Sequence, residues 1–582
     1  MDTLSRTSKQ NMVDRGFSFV ASLPTGDRFL LMTALAALAI SSVWLAISVN
    51  AAALIDIPGR GGVLREGIVG TPRFINPILA VTAADQDLTA LVYAGLMTLG
   101  PDGAVVPDIA ESVTVSEDGR TYDVVLKEHV TFHDGTPLTA DDVLFTVSRV
   151  QDPAVKSPLR ASWEGVTMSR VDEHHLQFLL SEPYAPFIEN LTVGILPKHI
   201  WEQATAEEFP FSRYNSEPVG AGPYALSEIM RNGSGIPESY ELTVHDDYFN
   251  AAPKIETIVL HFYPTEKDLV DAFRAGTINN AGGLSPASID ALRTAGVPFT
   301  LSTAPLPRTF TLFFNQNELP LFRDGAVRKA LATVVNREQI VEEVLGGYGE
   351  PIVSPLPPGF RIDVPQETTQ GNIKALDDAR EILRSGGWNV NEETGVWEKT
   401  DGTDTLTLSF TLATAHTPVF EQTAKLLMAR WEELGVPVTV KQFEQSDLVQ
   451  TVIRPRQYEA LLFGTVVGRE LDFFSFWHSS QRNDPGLNVA LYANITADTV
   501  LASARASSAF EDRALLYRKF SDEISKDVPA IFLYVPTYPY ATAPEVQNIS
   551  LSGIARGSER FSRISDWYIA KETVWPLFID SN

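Results

Sequence analysis

Asp118 to Arg149, DGRTYDVVLKEHVTFHDGTPLTADDVLFTVSR, admits few local structures. Its first part alternates: Tyr122, Val124 and Leu126 share one face of a strand, with Thr121, Asp123 and Val125 on the other. His133-Asp134-Gly135-Thr136-Pro137 then concentrates residues that favour tight reversal of the backbone. A helix is predicted next. Thr139 can cap its N-terminus, and Asp142 stands three residues on, where a carboxylate reaches back to the cap. Leu138 and Val143 flank that cap in the positions of a hydrophobic staple. His133 and Asp134 are read as turn residues, not catalytic ones.

The rest of the chain must supply more than one core, because 582 residues exceed what a single hydrophobic core organises. From Phe29 to Val49 the sequence FLLMTALAALAISSVWLAISV carries no charge. As a helix this run is about 30 Å long, enough to cross a hydrocarbon core. Arg6, Lys9, Arg15 and Arg28 precede it, which favours a cytoplasmic N-terminus. The run exceeds the 7–15 apolar residues usual in a cleaved signal peptide, so an uncleaved anchor is expected; Ala51-Ala52-Ala53 leaves cleavage open. A formal charge of −27 and the lack of any Lys/Arg-rich block argue against nucleic acid as a partner. The chain has no cysteine, which excludes disulfides, thiolate metal sites, cysteine nucleophiles and a lipidated-cysteine anchor. There is no H-E-x-x-H, no phosphate-binding G-x-x-x-x-G-K-[ST] and no G-x-S-x-G. No catalytic residue, cofactor or metal site is expected.

The run Phe132–Val143, FHDGTPLTADDV, resembles the signature of solute-binding proteins of the peptide/nickel class (family 5), the receptors that feed ABC importers. Further segments resemble the same family in the same order. Gly70–Pro77 is similar to its first strand-to-loop region, and Ile195–Trp201 to a step that introduces a helix. Pro218-Val219-Gly220-Ala221-Gly222-Pro223-Tyr224 resembles its Gly/Pro turn entering a strand, Phe322–Leu331 a helix behind a short turn, and Ala375–Trp388 a further helix. Between these, a strand at 405–412, an amphipathic helix at 419–434 stopped by Gly435 and a strand at 436–443 read as a parallel α/β unit. Helix is predicted at 446–453, and strands at 460–466 and 530–535.

The fold the resemblance implies is α/β: a two-lobed, periplasmic-binding-protein-like architecture (class II) with an extra subdomain, preceded by one transmembrane helix. The expected division is a cytoplasmic segment 1–28, an anchor 29–49 and a linker 50–63. Lobe I then takes 64–99, 210–305 and 531–582, with an insertion at 100–209, and lobe II takes 306–530. Hinges are placed near 300–308 and 528–538. The implied function is extracytoplasmic capture of oligopeptides, dipeptides or a related small solute in the cleft, and delivery to an ABC permease. The alternative is an anchored sensor or surface binding module for a nickel complex, haem, a sugar or an opine. A monomer is expected, at the cell membrane, with its C-terminal part outside.

Ligand residues are expected in Phe463–Trp477, FGTVVGRELDFFSFW, where the family places a strand and a loop entering the cleft. Asp472 with Phe476 matches the family's D-P-x-x-F step, with Phe473 in place of proline. On that alignment Arg469 stands where peptide receptors carry the carboxylate that pairs with the peptide ammonium, and Glu470 is one residue away. A cleft-lining Arg469 would favour a carboxylate or phosphate ligand through its fork of donors; a cleft-lining Glu470 would keep an amine ligand. Phe473 and Trp477 are candidates for stacking on ligand. Asn315 and Phe74 are carried by the resemblance alone.

Overall fold

The computed structural model describes residues 15, 17–362, 373–402 and 404–575. They form two compact units. The smaller contains the described residues up to Gly59 and those from Ala570 on. Its helix, Thr25–Ala53, contains the apolar run, and Thr25–Asn50 has the length and composition to cross a membrane, with a mean hydropathy of 2.2. Large apolar side chains such as Leu38, Ile40 and Trp44 lie exposed along it. The segment 50–63, expected as a plain linker, instead continues the helix to Ala53 and then forms a strand, Ile55–Pro58. That strand pairs antiparallel with Lys571–Val574, Ile55 opposite Val574 and Pro58 opposite Lys571. A partner so far along the chain leaves no trace in local composition, which is why Pro58 and Gly59 read as linker.

The larger unit, Arg60–Ile569, is built on a twelve-stranded mixed sheet. Val63–Val69 lies parallel to Thr257–Tyr263, followed outward by Pro237–Val244 and Tyr224–Arg231. At the other end Arg308–Phe314 pairs with Ala460–Val466, then Phe410–Ala415 and Val438–Phe443. The two ends share one long strand, Ala530–Thr542. Its first half pairs with Arg308–Phe314 and its second with Thr300–Pro305, all antiparallel. Two separate sets of cores flank this strand. One packs Leu64, Leu88, Leu91, Val143 and Phe178, and the other Leu312, Leu331, Trp388 and Trp431. The chain crosses between them at Pro305–Arg308 and along Val535–Thr537, giving two lobes.

The first lobe carries a four-stranded antiparallel sheet of Ala110–Val115, Thr121–Leu126, His175–Leu179 and Thr167–Arg170. Tyr122, Val124 and Leu126 are buried as their spacing predicts. The helix that follows spans Ala140–Gln151. The Asp142 carboxylate accepts from the Thr139 backbone N–H at 2.9 Å, and Leu138 and Val143 are buried beside it. Burial of each such side chain contributes roughly 1.5–3 kcal/mol. Asp142 also accepts from the Lys198 N–H at 2.9 Å, so the cap holds the Ile195–Trp201 step in place. The turn in turn holds the Gly/Pro segment: the His133 N–H donates to the Gly220 carbonyl at 2.8 Å, and its Nε2 lies 3.1 Å from the Gly222 carbonyl.

In the second lobe, Phe410–Ala415 and Val438–Phe443 are parallel and joined by the helix Pro418–Leu434, which buries Ala424, Leu427, Trp431 and Leu434. Gly435 closes that helix in the left-handed region at φ 90°. The strand predicted over 405–412 is two strands. Asp404–Thr407 pairs with Trp397–Asp401 in a small separate sheet, and Phe410–Ala415 enters the large one. Alternation reports the face of each residue but not a change of partner between them. The helix predicted at 446–453 forms as a short turn, Gln445–Asp447, running into a wider π turn, Leu448–Ile453.

Candidate ligand-binding site

Both lobes wall a cavity of about 540 Å³. From the first lobe come Tyr93–Gly95, Asp108, Tyr184, Glu189 and the stretch around Arg556–Ser565; from the second come Val466–Asp472, Ser475 and Phe476. The loop from the second lobe is positioned by its strand, Ala460–Val466, and by the Val467 N–H, which donates to the Pro307 carbonyl at 3.0 Å beside the crossing. Gly468 at φ 73° and Leu471 at φ 55° give the loop its shape. The left-handed region costs a non-glycine residue on the order of 1 kcal/mol, and burial of the Leu471 side chain offsets it. The bend sends Arg469, Glu470 and Asp472 to three different partners.

Arg469 reaches across the cleft. Its Nε donates to the Gly553 carbonyl at 3.1 Å, it pairs with Glu559, and it lies 3.8 Å from Glu189. Only 4% of its side chain is exposed. Glu470 pairs within its own lobe with Arg513, which also donates to the Ser507 and Ser508 carbonyls. Asp472 pairs with Arg505 at 2.8 Å and accepts from Tyr184 at 3.4 Å and Ser475 at 3.3 Å. Arg505 in turn covers the rings of Tyr184 and Phe474. Burial, with the Asp472 charge alongside, pushes the Tyr184 phenol well up, so it remains a donor at neutral pH.

Phe473 and Trp477, expected to stack on ligand, are core residues away from the cavity wall. Phe473 packs against Tyr517 and Phe520, and Trp477 against Phe313, Tyr492 and Phe532. Helical spacing from Asp472 turns both rings inward, because the short helix Phe474–Trp477 packs on the second lobe. Asn315 is buried and satisfied: its side chain accepts from the Asn317 and Glu318 N–H groups and donates to the Arg456 carbonyl. Phe74 packs, half-buried, on the first-lobe core beneath Arg73. Neither is in the wall of the cavity. Thus Arg469, Glu470 and Asp472 come together there, and the other four candidates do not.

Sequence reasoning missed Tyr184, Glu189, Asp108 and Glu559. They arise from three separate segments with no shared spacing, and only the folded geometry unites them. Burial pushes Asp108 up to about 6, despite the nearby Lys127 and the hydrogen bond from Asn250 at 2.6 Å. Burial lowers His133, in the turn described above, to about 4. The two shifts have opposite consequences. Folded Asp108 binds more protons than unfolded chain between pH 4 and 6, so its contribution to stability falls as pH rises through that window. Folded His133 binds fewer between pH 4 and 6.5, so its contribution rises. Asp108→Asn is therefore expected to gain about 2–3 kcal/mol on wild type between pH 4 and 6.5, and His133→Asn to lose a similar amount. Denaturation at a series of pH values reads both; parallel pH curves for either variant and wild type would refute the assignment.

Residues 104–485 match the family described as bacterial extracellular solute-binding proteins, family 5 (middle). The chain is 30% identical over 528 residues to the oligopeptide-binding protein AppA of Bacillus subtilis, covering 88% of this chain and 93% of that one. It is 23% identical over 524 residues to the dipeptide-binding protein of Escherichia coli, covering 85% and 93%. The solved structure of Bacillus subtilis AppA with a nonapeptide superposes with a TM-score of 0.63 at 27% identity, covering 88% of this chain and all, 100%, of that one. The chain therefore belongs to family 5 of the bacterial extracellular solute-binding proteins, receptors of ABC import and not enzymes.

Proposed function

We propose that this chain captures short peptides in the cavity between its lobes and hands them to an ABC permease, while its N-terminal helix keeps it at the membrane. The observation that carries the peptide assignment is a partly open cavity of about 540 Å³ between the lobes, in a chain 30% identical, over 88% of its length, to an oligopeptide-binding protein. That volume is in the range of pockets that bury most of a small ligand. The working unit is a monomer in which lobe I (64–99, 210–305 and the chain from 531), its insertion (100–209) and lobe II (306–530) close about the strands that cross between them. The Thr25–Asn50 helix serves as an uncleaved anchor, which keeps the receptor at high effective concentration near its permease.

The test is thermal unfolding of the full chain in detergent, against a pooled di- to pentapeptide library and a panel of nickel–histidine, haem, sugars and opines. A peptide at a hundred times its dissociation constant is expected to stabilise the protein by about 2.7 kcal/mol. Stabilisation by a member of the second panel, with none from any peptide, would sink the peptide reading and leave the receptor assignment in place.

A further inference from the structure

Five carboxylates face the cavity, from Asp108, Glu189, Glu470, Asp472 and Glu559, against two guanidiniums, from Arg469 and Arg556. Four of the five are satisfied within the protein. Glu470 is closed by Arg513 and Asp472 by Arg505 with two hydroxyl donors. Glu559 accepts from Arg469, from Arg556 at 3.1 Å and from the Ala555 N–H at 2.6 Å. Asp108 accepts from the Asn250 amide. Glu189 is different. Its nearest cation, Arg469, stands at 3.8 Å and is already engaged by Glu559 and the Gly553 carbonyl. Among the described residues, its carboxylate oxygens receive no hydrogen bond. Burial raises its pKa, only partly countered by Arg469. The Glu189 side chain is 22% exposed and opens to the cavity, so a ligand donor can reach it and supply the hydrogen bonds that the protein does not.

We propose that Glu189 receives a ligand ammonium group, and that the cavity thereby selects peptides with a free amine. The inference rests on the peptide-receptor reading. It moves amine recognition from the second-lobe loop, where Arg469 occupies the expected position, to the first lobe. Arg469 is not open to a ligand carboxylate, because its guanidinium is held across the cleft by Glu559 and Gly553. The protein thus carries Arg469 beside Glu189, with Arg556 farther off, and the ligand brings a cation that donates directly. The ammonium could be a peptide α-amine or a lysine side chain, and the two are separable.

Calorimetric titration of the full chain in detergent would use trialanine, N-acetyl-trialanine and N-acetyl-Ala-Lys-Ala. Wild type is expected to bind trialanine about 10–100-fold more tightly than its acetylated form, the range of a hydrogen-bonded charge contact. In Glu189→Gln that ratio should fall below about 3-fold. Tight binding of the acetylated lysine peptide that is lost in Glu189→Gln would support the same carboxylate with the side chain as the source. A wild type that binds peptides but ignores acetylation and lysine alike overturns the inference alone, as does a Glu189→Gln variant that keeps the full ratio. A wild type that binds no peptide overturns the underlying reading.

Discussion

Arg560→Leu is expected to destabilise the protein by about 4–5 kcal/mol, because it strands two carboxylates in a dry interior. Arg560 holds Asp87 through both ends of its guanidinium, at 2.8 and 2.6 Å, and Glu66 at 2.9 Å. The Tyr540 hydroxyl donates to the other oxygen of Glu66 at 2.8 Å, and Phe561 lies under the guanidinium at 4.0 Å. Glu66 is fully buried, and 2% and 5% of the Arg560 and Asp87 side chains are exposed. Burial already pushes the Glu66 carboxyl up, with Arg560 opposing it. Removing the opposing charge leaves the Tyr540 hydrogen bond alone against that penalty. The same cluster fastens the Gly557–Asp566 turn to the first strand and helix of the lobe, and that turn supplies Ser558, Glu559 and Phe561 to the cavity. Denaturant titration reads the loss. The triple variant Arg560→Leu, Glu66→Gln, Asp87→Asn should recover a large part of it, since buried charge, not lost volume, is the main cost. A single variant within 1 kcal/mol of wild type would show that the cluster contributes little.

Local sequence carried the architecture wherever one segment suffices to define an element. The strand at Thr121–Leu126, the capped helix at Ala140–Gln151 and the Gly435 stop all follow from alternation, cap chemistry and a left-handed glycine. Resemblance to the family added the two-lobed architecture, which no period can report. What remained hidden depended on partners far away in sequence. Ile55–Pro58 became a strand because Lys571–Val574 came to meet it. Phe473 and Trp477 were plausible ligand aromatics until the packing of Phe520 and Phe532 claimed them. The site shows the same division. Residues 469–472 were legible as a cleft loop, but the pairing of each charge was not. Arg469 finds Glu559 and Gly553 on the opposite lobe, and Glu470 finds Arg513 behind the loop, so neither stands free as its position suggested. Glu189 sits in a segment, SEPYAPFIEN, with nothing to mark it, and draws its significance from what it lacks.

Gly220→Ala, one added carbon, is expected to cost about 4 kcal/mol or more, through close approach and not through backbone freedom. A Cβ at Gly220 would stand 2.1 Å from the Val92 carbonyl oxygen and 2.9 Å from the Tyr93 ring. Val92 ends the helix Ala83–Val92, and its carbonyl accepts from the Gly222 N–H at 2.8 Å. The obstacle is backbone at the end of a buried helix, which cannot swing aside as a flexible side chain would. Relief requires the Gly/Pro segment to withdraw. That breaks the Gly222 bond and pulls on His133, whose N–H donates to the Gly220 carbonyl. The displaced helix end leads directly into Tyr93, Ala94 and Gly95 of the cavity wall, so peptide affinity should fall together with stability. Gly233→Ala makes the same chemical change where nothing lies within 4 Å, and should stay within about 0.5 kcal/mol of wild type. Comparing the two variants by denaturant titration separates contact from conformation: equal costs would mean that the helix end yields and that the glycine is dispensable. Unequal costs, with the larger at Gly220, would give the Pro218–Tyr224 segment its physical cause, a backbone-to-helix contact that docks the His133–Pro137 turn beside the ligand cavity.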